Sequence, residues 1–476
     1  LNDLLSSVPL ASGMVLSGQK IIDRGEIVND YSYRVLTSLD RELERRNVSK
    51  AEIKNTVIGQ FIYVLLLLCL FTCFIVLFRS RYLGKVRSVV MVYVMITIYP
   101  VIVSLFMEHS LLSVYIIPFA IGPMFIRVFM DSRTAFIAHL VSMLICAVAL
   151  KYQFEFILLQ LISGLVAIYS LSDLSGRAQL FKCALFVTVG NFVTFFTLQL
   201  MQTGDVANFE VSMYSHFVAN GVLLLLAYPL MFVIERTFGF TSNVTLFELS
   251  NTNKGLLRKM SEVAPGTFQH SITVGNLAAE IANRIGADSL LVRTGALYHD
   301  IGKMNNPVFF TENQVGVNPH KGLPYKESAR IIISHVTEGV KMAEKANLPG
   351  FVREFILTHH GCGMAKYFYI NYKNEHPDEE VDVRDFSYPG PDPFTREQAI
   401  LMMADTVEAA SRSLPEYTEE SIKALIDRLV DAQLEEGHFK ECPITFRDIA
   451  VAKAVMLERL KSIYHTRVSY PTLKQA

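Results

Sequence analysis

Between residues 57 and 234 the chain is almost continuously apolar, and that run constrains the fold more than any other feature. No water reaches the core of a bilayer, so every backbone N–H and C=O there must be paired within its own segment. A helix of roughly 17–25 apolar residues meets that demand. Seven such segments can be read, near 57–78, 88–107, 111–130, 134–150, 154–171, 180–201 and 216–234. The breaks near 108–112 and 151–155 are short, and a re-entrant hairpin made from one pair of short segments is the alternative to seven full spans. A polytopic all-α bundle with the lipid bilayer as its partner is therefore expected over 57–236.

Hydrophobic residues make up 51% of the chain and charged residues 19%, but these averages join two unlike halves. Residues 245–476 read as an ordinary soluble helical domain. The implied organisation is an extracellular remnant over 1–56, the membrane domain over 57–236, a linker over 237–260 and a soluble all-helical domain over 261–470. A net charge of −1 gives no sign of nucleic-acid binding. Six cysteines, Cys69, Cys73, Cys146, Cys183, Cys362 and Cys442, are scattered without zinc-type pairing, which argues against a disulfide framework.

Basic residues set the orientation. Arg79, Arg81, Lys85 and Arg87 follow the first segment, Arg127 and Arg133 the third, and Arg177 and Lys182 the fifth, whereas the intervening loops hold only Lys151. Odd-numbered spans then exit into the cytoplasm, and the C-terminal domain lies inside. Arg236, Lys254, Arg258 and Lys259 agree. His139, Gln160, Asn191 and Asn220 fall within spans and read as interhelical hydrogen-bonding groups. Ahead of the first span, "MVLSGQKIIDRGEIVND" suggests a hairpin around Gly18 and Gly25, and "DYSYRVLTSLDRELERRN" an amphipathic helix. No signal peptide is visible, and a start at Leu1 suggests a trimmed chain.

The soluble half carries the chemistry. "TGALYHDIGKMNN" places His299 beside Asp300 at the end of an apolar helix, with Lys303 just beyond. His270 lies near the start of an amphipathic helix whose buried face would be Ile272, Leu277, Ile281 and Ile285, capped by Gly286. His335 sits on the apolar side of a third helix, and His359-His360 close a fourth before Gly361. A fifth, opened by Thr395, holds Asp405 on an apolar face with no Lys or Arg one turn away. A lone buried carboxylate is prohibitively costly, so Asp405 must be paired or bind a metal. Imidazole and carboxylate donors without thiolate suit Fe, Mn or Zn.

In that order His270, His299-Asp300, His335, His359-His360 and Asp405 resemble the HD-domain metal-dependent phosphohydrolases. "APGTFQHS", "LYHDIGKM", "IIISHVTEGV", "LTHHG", "YPGPDPFTREQAILMMADTVEAASRSL", "ECPITFRDI" and "IYHTRVSYP" resemble one branch, the bacterial seven-transmembrane HD proteins that hydrolyse cyclic-di-AMP. "HHGCGMAKYF" lacks the Gly-Tyr-Pro signature typical of cyclic-di-GMP enzymes. Members usually carry a larger extracellular domain behind a further N-terminal hydrophobic segment, and the expectation is an N-terminally truncated chain.

The resemblance implies a polytopic protein of the bacterial inner membrane with a cytosolic HD domain. It implies two divalent transition metals, Fe or Mn. His270, His299 and Asp405 would hold one, His335, His359 and His360 the other, and Asp300 would bridge them. Such a pair activates water and clamps a phosphoryl group. Lys303 would meet a non-bridging phosphate oxygen, and the product would be linear 5'-pApA. Unknown extracellular ligands and a homodimer are further partners to consider. A receptor with a nucleotide-binding, non-hydrolytic HD domain, or a hydrolase of another nucleotide or alarmone, are the competing functions. Residues 364–394, with the acidic run "KNEHPDEEVDVRD", are expected to form a solvated loop, with a lid or a disordered insertion as the alternatives, and "YFYINY" either packs or stacks on a base.

Overall fold

The structure, a computed structural model, describes residues 15, 20–22, 26–46, 50–84, 86–109, 113–171, 177–203, 211–316 and 318–464. The hairpin expected around Gly18 and Gly25 lies largely outside the described residues, as does most of "IYHTRVSYP". Among them every regular element is helical, beside one isolated bridge between Met364 and Ser387. The amphipathic segment ahead of the membrane forms α1, Asp30–Arg46.

The apolar half forms α2 (Lys50–Phe78), α3 (Val86–His109), α4 (Ile121–Phe129), α5 (Ser132–Ala147), α6 (Gln153–Ser170), α7 (Arg177–Thr203), α8 (Val211–Leu224) and α9 (Ala227–Phe238). Of the seven segments expected to span, the structure supports four, or five if one bent pair counts as one. Lys54–Phe78, Val86–Glu108, Gln153–Ser170 and Ala178–Gln202 are long and apolar enough to cross a membrane, and α8 with α9, bent by 44°, makes a fifth if counted as one span. The third and fourth segments form the shorter apolar stretches Val114–Phe129 and Ser132–Ala147. Sixteen helical residues reach only about 24 Å, less than the ~30 Å hydrocarbon thickness.

A proline causes the break in the third segment. Pro118 lacks an N–H, and Ile117 before it is extended, so the chain makes a single turn over Val114–Ile116 and resumes as α4 only at Ile121. The freed carbonyls need donors. Asn220 on α8 supplies them, its Nδ2 donating to Ile117 at 2.7 Å and Tyr115 at 3.2 Å. Irregular backbone within an apolar bundle requires such protein partners. His139 and Asn191 also bond between helices, as expected, whereas Gln160 contributes only its backbone carbonyl and its buried side-chain Oε1 has no hydrogen-bond partner. His139 Nε2 donates to the Gln160 carbonyl at 2.8 Å, and Ser163 donates to Asn191 at 3.1 Å. Phe71, Met91, Ile96 and Met124 fill the bundle interior, while Phe61, Leu65 and Leu77 face outward, as a lipid-facing surface requires.

The second half continues as α10 (Asn243–Leu249), α11 (Gly255–Val263), α12 (Pro265–Ile285), α13 (Ser289–Tyr298), α14 (Tyr325–Lys345), α15 (Gly350–Thr358), α16 (Lys366–Glu375), α17 (Arg396–Ser411), α18 (Glu419–Glu435) and α19 (Phe446–Ile463). The segment read as a linker is helical, and its Leu257 and Met260 are buried against Tyr298 and Ile301. α12 buries Val274, Leu277, Ala278, Ile281 and Ala282, whereas Ile272 and Ile285 only flank the cores. Gly286 closes it at φ +69°. The expected solvated loop over 364–394 is also corrected. It contains α16 and a turn over Val383–Phe386, anchored by the fully buried Phe386 against the rings of Tyr369 and Tyr372. Those rings pack; Tyr367 of the same run is exposed.

Candidate metal centre

Five elements bring their ends or faces together. α13 stops at Tyr298, leaving His299 as its C-cap, and Asp300 (φ −107°, ψ 15°) leads into a tight turn over Ile301–Asn305. α15 stops at Thr358 with His359 as its C-cap, and Gly361 at φ +53° turns the chain away after His360. α12 and α14 contribute His270 and His335 from their interiors. α17, opened by a reciprocal Thr395–Gln398 cap, contributes Asp405. His270, His299, Asp300, His335, His359 and Asp405 are all buried.

The structure brings the sequence-predicted residues into two trios whose candidate ligand atoms lie within 4.8 Å of one another: His270, His299 and Asp405, and His335, His359 and His360. Asp300 stands between them. Its Oδ2 lies 3.2 Å from His299 Nε2 and 3.6 Å from His270 Nε2, while its Oδ1 lies 3.4 Å from His335 Nε2 and 3.7 Å from His359 Nε2. Asp405 Oδ1 is 2.9 Å from His270 Nε2 and 3.5 Å from His299 Nε2.

The imidazoles are oriented from behind. His299 Nδ1 donates to the Ala296 carbonyl at 2.6 Å, His335 Nδ1 to Ile332 at 2.6 Å, and His359 Nδ1 to Ile356 at 2.7 Å. In each ring that leaves Nε2 as the inward atom, the arrangement that positions a metal-ligating histidine. His270 Nδ1 is held instead by Glu408 Oε2 at 2.6 Å, and Arg412 pairs with Glu408 from the other side. His360 lies against the Tyr388 ring, centroids 4.3 Å apart. Two inward atoms, His299 Nε2 and Asp300 Oδ1, are buried with no hydrogen-bond partner. Buried polar atoms rarely stay unpaired, so these fit a cation between the rings. The donor set is nitrogen and carboxylate oxygen; Cys362 instead bonds the Gly390 carbonyl.

The electrostatics divide the same way. Burial opposes charge on His299, yet Asp300 and Asp405 push it up to about 10. Burial likewise opposes charge on His270, but Asp405 and Glu408 raise it. Burial lowers His335 and drives His359 well below its ordinary value, aided there by His360. His360 is pushed down to about 3, again by burial. Asp300 and Asp405 stay well below the carboxylate range despite burial, because His299 and Lys303 face the first and His270 and His299 the second.

Lys303, expected to meet a phosphate oxygen, is paired with Asp300 Oδ2 at 2.7 Å and Glu312 Oε1 at 2.9 Å, over the Phe310 ring. Sequence reasoning missed Glu408, Glu312 and Tyr388. Glu408 was accessible, since it follows Asp405 by three residues on one helical face. Glu312 and Tyr388 carry no local signal. Beside the cluster lies a cavity of about 390 Å³, walled by His359, His360 and Asp405 on one side and by Tyr388, Gln433 and His438 elsewhere.

Residues 55–242 match the family model described as a 7TM receptor with intracellular HD hydrolase, and residues 267–410 match that of the HD domain. The apolar half of the chain is thus similar to the first family and the helical half to the second. The chain is 32% identical over 96% of its length to the cyclic-di-AMP phosphodiesterase PgpH of Bacillus subtilis and 31% identical over 96% to that of Listeria monocytogenes. It spans 65% and 64% of those relatives. A solved structure of the L. monocytogenes PgpH HD domain in complex with cyclic-di-AMP is 42% identical, covering 45% of this chain and 99% of that domain, with a TM-score of 0.43.

Proposed function

We propose that this chain is a membrane-anchored, metal-dependent phosphodiesterase that opens cyclic-di-AMP to linear 5'-pApA. The observation that carries the reading is Asp300, buried between two donor trios with one oxygen turned to each, beside a cavity of about 390 Å³. The activity printed for the two PgpH relatives supports the substrate class.

In this reading His270, His299 and Asp405 would hold one divalent cation and His335, His359 and His360 the other, with Asp300 as a ligand available to both. The nitrogen and oxygen donors favour Fe or Mn. Bound cations would supply Lewis acidity, making water more acidic and offsetting phosphoryl charge. The protein orients the imidazoles through the Ala296, Ile332 and Ile356 carbonyls and through Glu408. Lys303, steadied by Glu312, is a cation beside Asp300 and would face a non-bridging oxygen. The water oxygen bonds to phosphorus as the P–O3' bond breaks, one of its protons goes to the departing O3', and the phosphate stays on the 5' oxygen. The HD domain lies in the cytoplasm, seven segments engage the bilayer, and the extracellular part senses a ligand; the basic-residue asymmetry supports that orientation.

The test incubates the purified chain, loaded with Mn²⁺ or Fe²⁺, with cyclic-di-AMP and cyclic-di-GMP and separates the products. Cyclic-di-AMP is expected to give 5'-pApA with the higher kcat/KM. Equal or reversed preference would overturn the substrate, and binding without turnover would favour the receptor.

A further inference from the structure

The cavity beside the metal cluster has a polar wall that the chemistry above does not use. Gln433, on α18, is 9% exposed and lines it together with Met364, Met402, Ala409 and Leu429. Its amide is fixed in one orientation. Nε2 donates to the Thr406 hydroxyl at 2.9 Å and faces the Met402 carbonyl at 3.4 Å. A carbonyl can only accept, so the NH₂ side is the one turned to α17. The opposite atom, Oε1, is buried with no hydrogen-bond partner. An acceptor left unmade in a buried wall costs free energy that a ligand's donor recovers. Met402 and Thr406 flank Asp405 on its own helix, so this amide is registered against the metal cluster by about one turn of α17.

We infer that Gln433 reads the six-position of the purine, its side-chain oxygen accepting a hydrogen bond from the exocyclic amine of adenine. The inference deepens the cyclic-di-AMP reading and rests on it. Adenine presents N6–H₂, a donor; guanine and hypoxanthine present O6, an acceptor, at the same place. A fixed amide oxygen pairs with the first and opposes the second, because the Met402 carbonyl, which can only accept, keeps the NH₂ side turned to α17. The apolar side chains of Met364, Met402 and Leu429 suit the faces of a planar base. The device needs one residue, and its discrimination comes from leaving two acceptors face to face with the six-oxo bases.

The experiment compares kcat/KM for cyclic-di-AMP and cyclic-di-IMP, which differ in the six-substituent and in the hydrogen on N1 that accompanies it, on the full chain with Mn²⁺. Dissociation constants for both nucleotides are measured in parallel in EDTA. The wild-type chain is expected to favour adenine by about 10- to 100-fold in both measurements. Gln433→Met, similar in length, is expected to bring both ratios to within about threefold of unity. Thr406→Val removes one of the two partners of the NH₂ and should relax the ratios part of the way. Ratios are indifferent to the fraction of folded protein, so a purely structural Gln433 would lower yield and leave them unchanged. Unchanged ratios in Gln433→Met, or no adenine preference in the wild type, overturn the inference. A wild-type chain that turns over neither nucleotide but binds cyclic-di-AMP selectively overturns the phosphodiesterase reading and leaves the Gln433 assignment standing.

Discussion

Gly302→Ala should dismantle the metal centre by moving one turn of backbone. Gly302 lies in the Ile301–Asn305 turn, where it packs directly on α14. A Cβ there would sit 2.6 Å from the Gly339 nitrogen and nearer still to the His335 carbonyl oxygen. Ordinary contact begins at 3.4 Å and the His335 carbonyl oxygen would lie only 1.8 Å away, so the turn must retreat by about 1.6 Å. Neither neighbour is a side chain that can swing aside. Asp300 is two residues away, and its Oδ1 is 3.4 Å from His335 Nε2. Metal ligands tolerate only about ±0.2 Å, so a shift of that size separates the two trios. Overpacking of this kind destabilises by roughly 1–3 kcal/mol. Gly275→Ala is the control: its Cβ would meet the Arg293 carbonyl oxygen at 3.4 Å, an ordinary contact, inside α12. A helix-interior Gly→Ala change without a clash should stabilise by about 0.4–1 kcal/mol. The assay is thermal unfolding of the purified chain alongside elemental analysis. Loss of metal with a lowered midpoint is expected for Gly302→Ala, and neither for Gly275→Ala. A Gly302→Ala chain with wild-type midpoint and full metal content would refute the reasoning.

Asp300→Ala should lose both cations, and His335→Ala chiefly one, by elemental analysis; retention of both in Asp300→Ala would remove the bridging role. Glu408→Gln weakens the acceptor behind His270 Nδ1 and should lower metal affinity by about 10–100-fold in a chelator competition, with the fold unchanged by circular dichroism. A cytoplasm-active reporter fused after residue 476 should be active; activity only outside the cell would reverse the topology.

The sequence alone marked out the apolar half and the residues that the structure brings together at the candidate site. Apolar run length is a local property, so the membrane half was legible, as were the helices carrying His270, His335 and Asp405, whose periodicity and caps are local too. A carboxylate on an apolar face announced a buried partner because charge burial is costly wherever it occurs. Tertiary structure decided what depends on contacts distant in sequence. Pro118 broke the third segment, but only Asn220, more than a hundred residues later, made the break tolerable. Phe386 folded the acidic run by finding a core, which its own neighbours do not reveal. The same holds at the site. Spacing placed Lys303 near Asp300, yet Glu312 and the Phe310 ring fix its head group. Gln433 carries no motif, and only its buried, unpaired oxygen beside Asp405's helix marks it out.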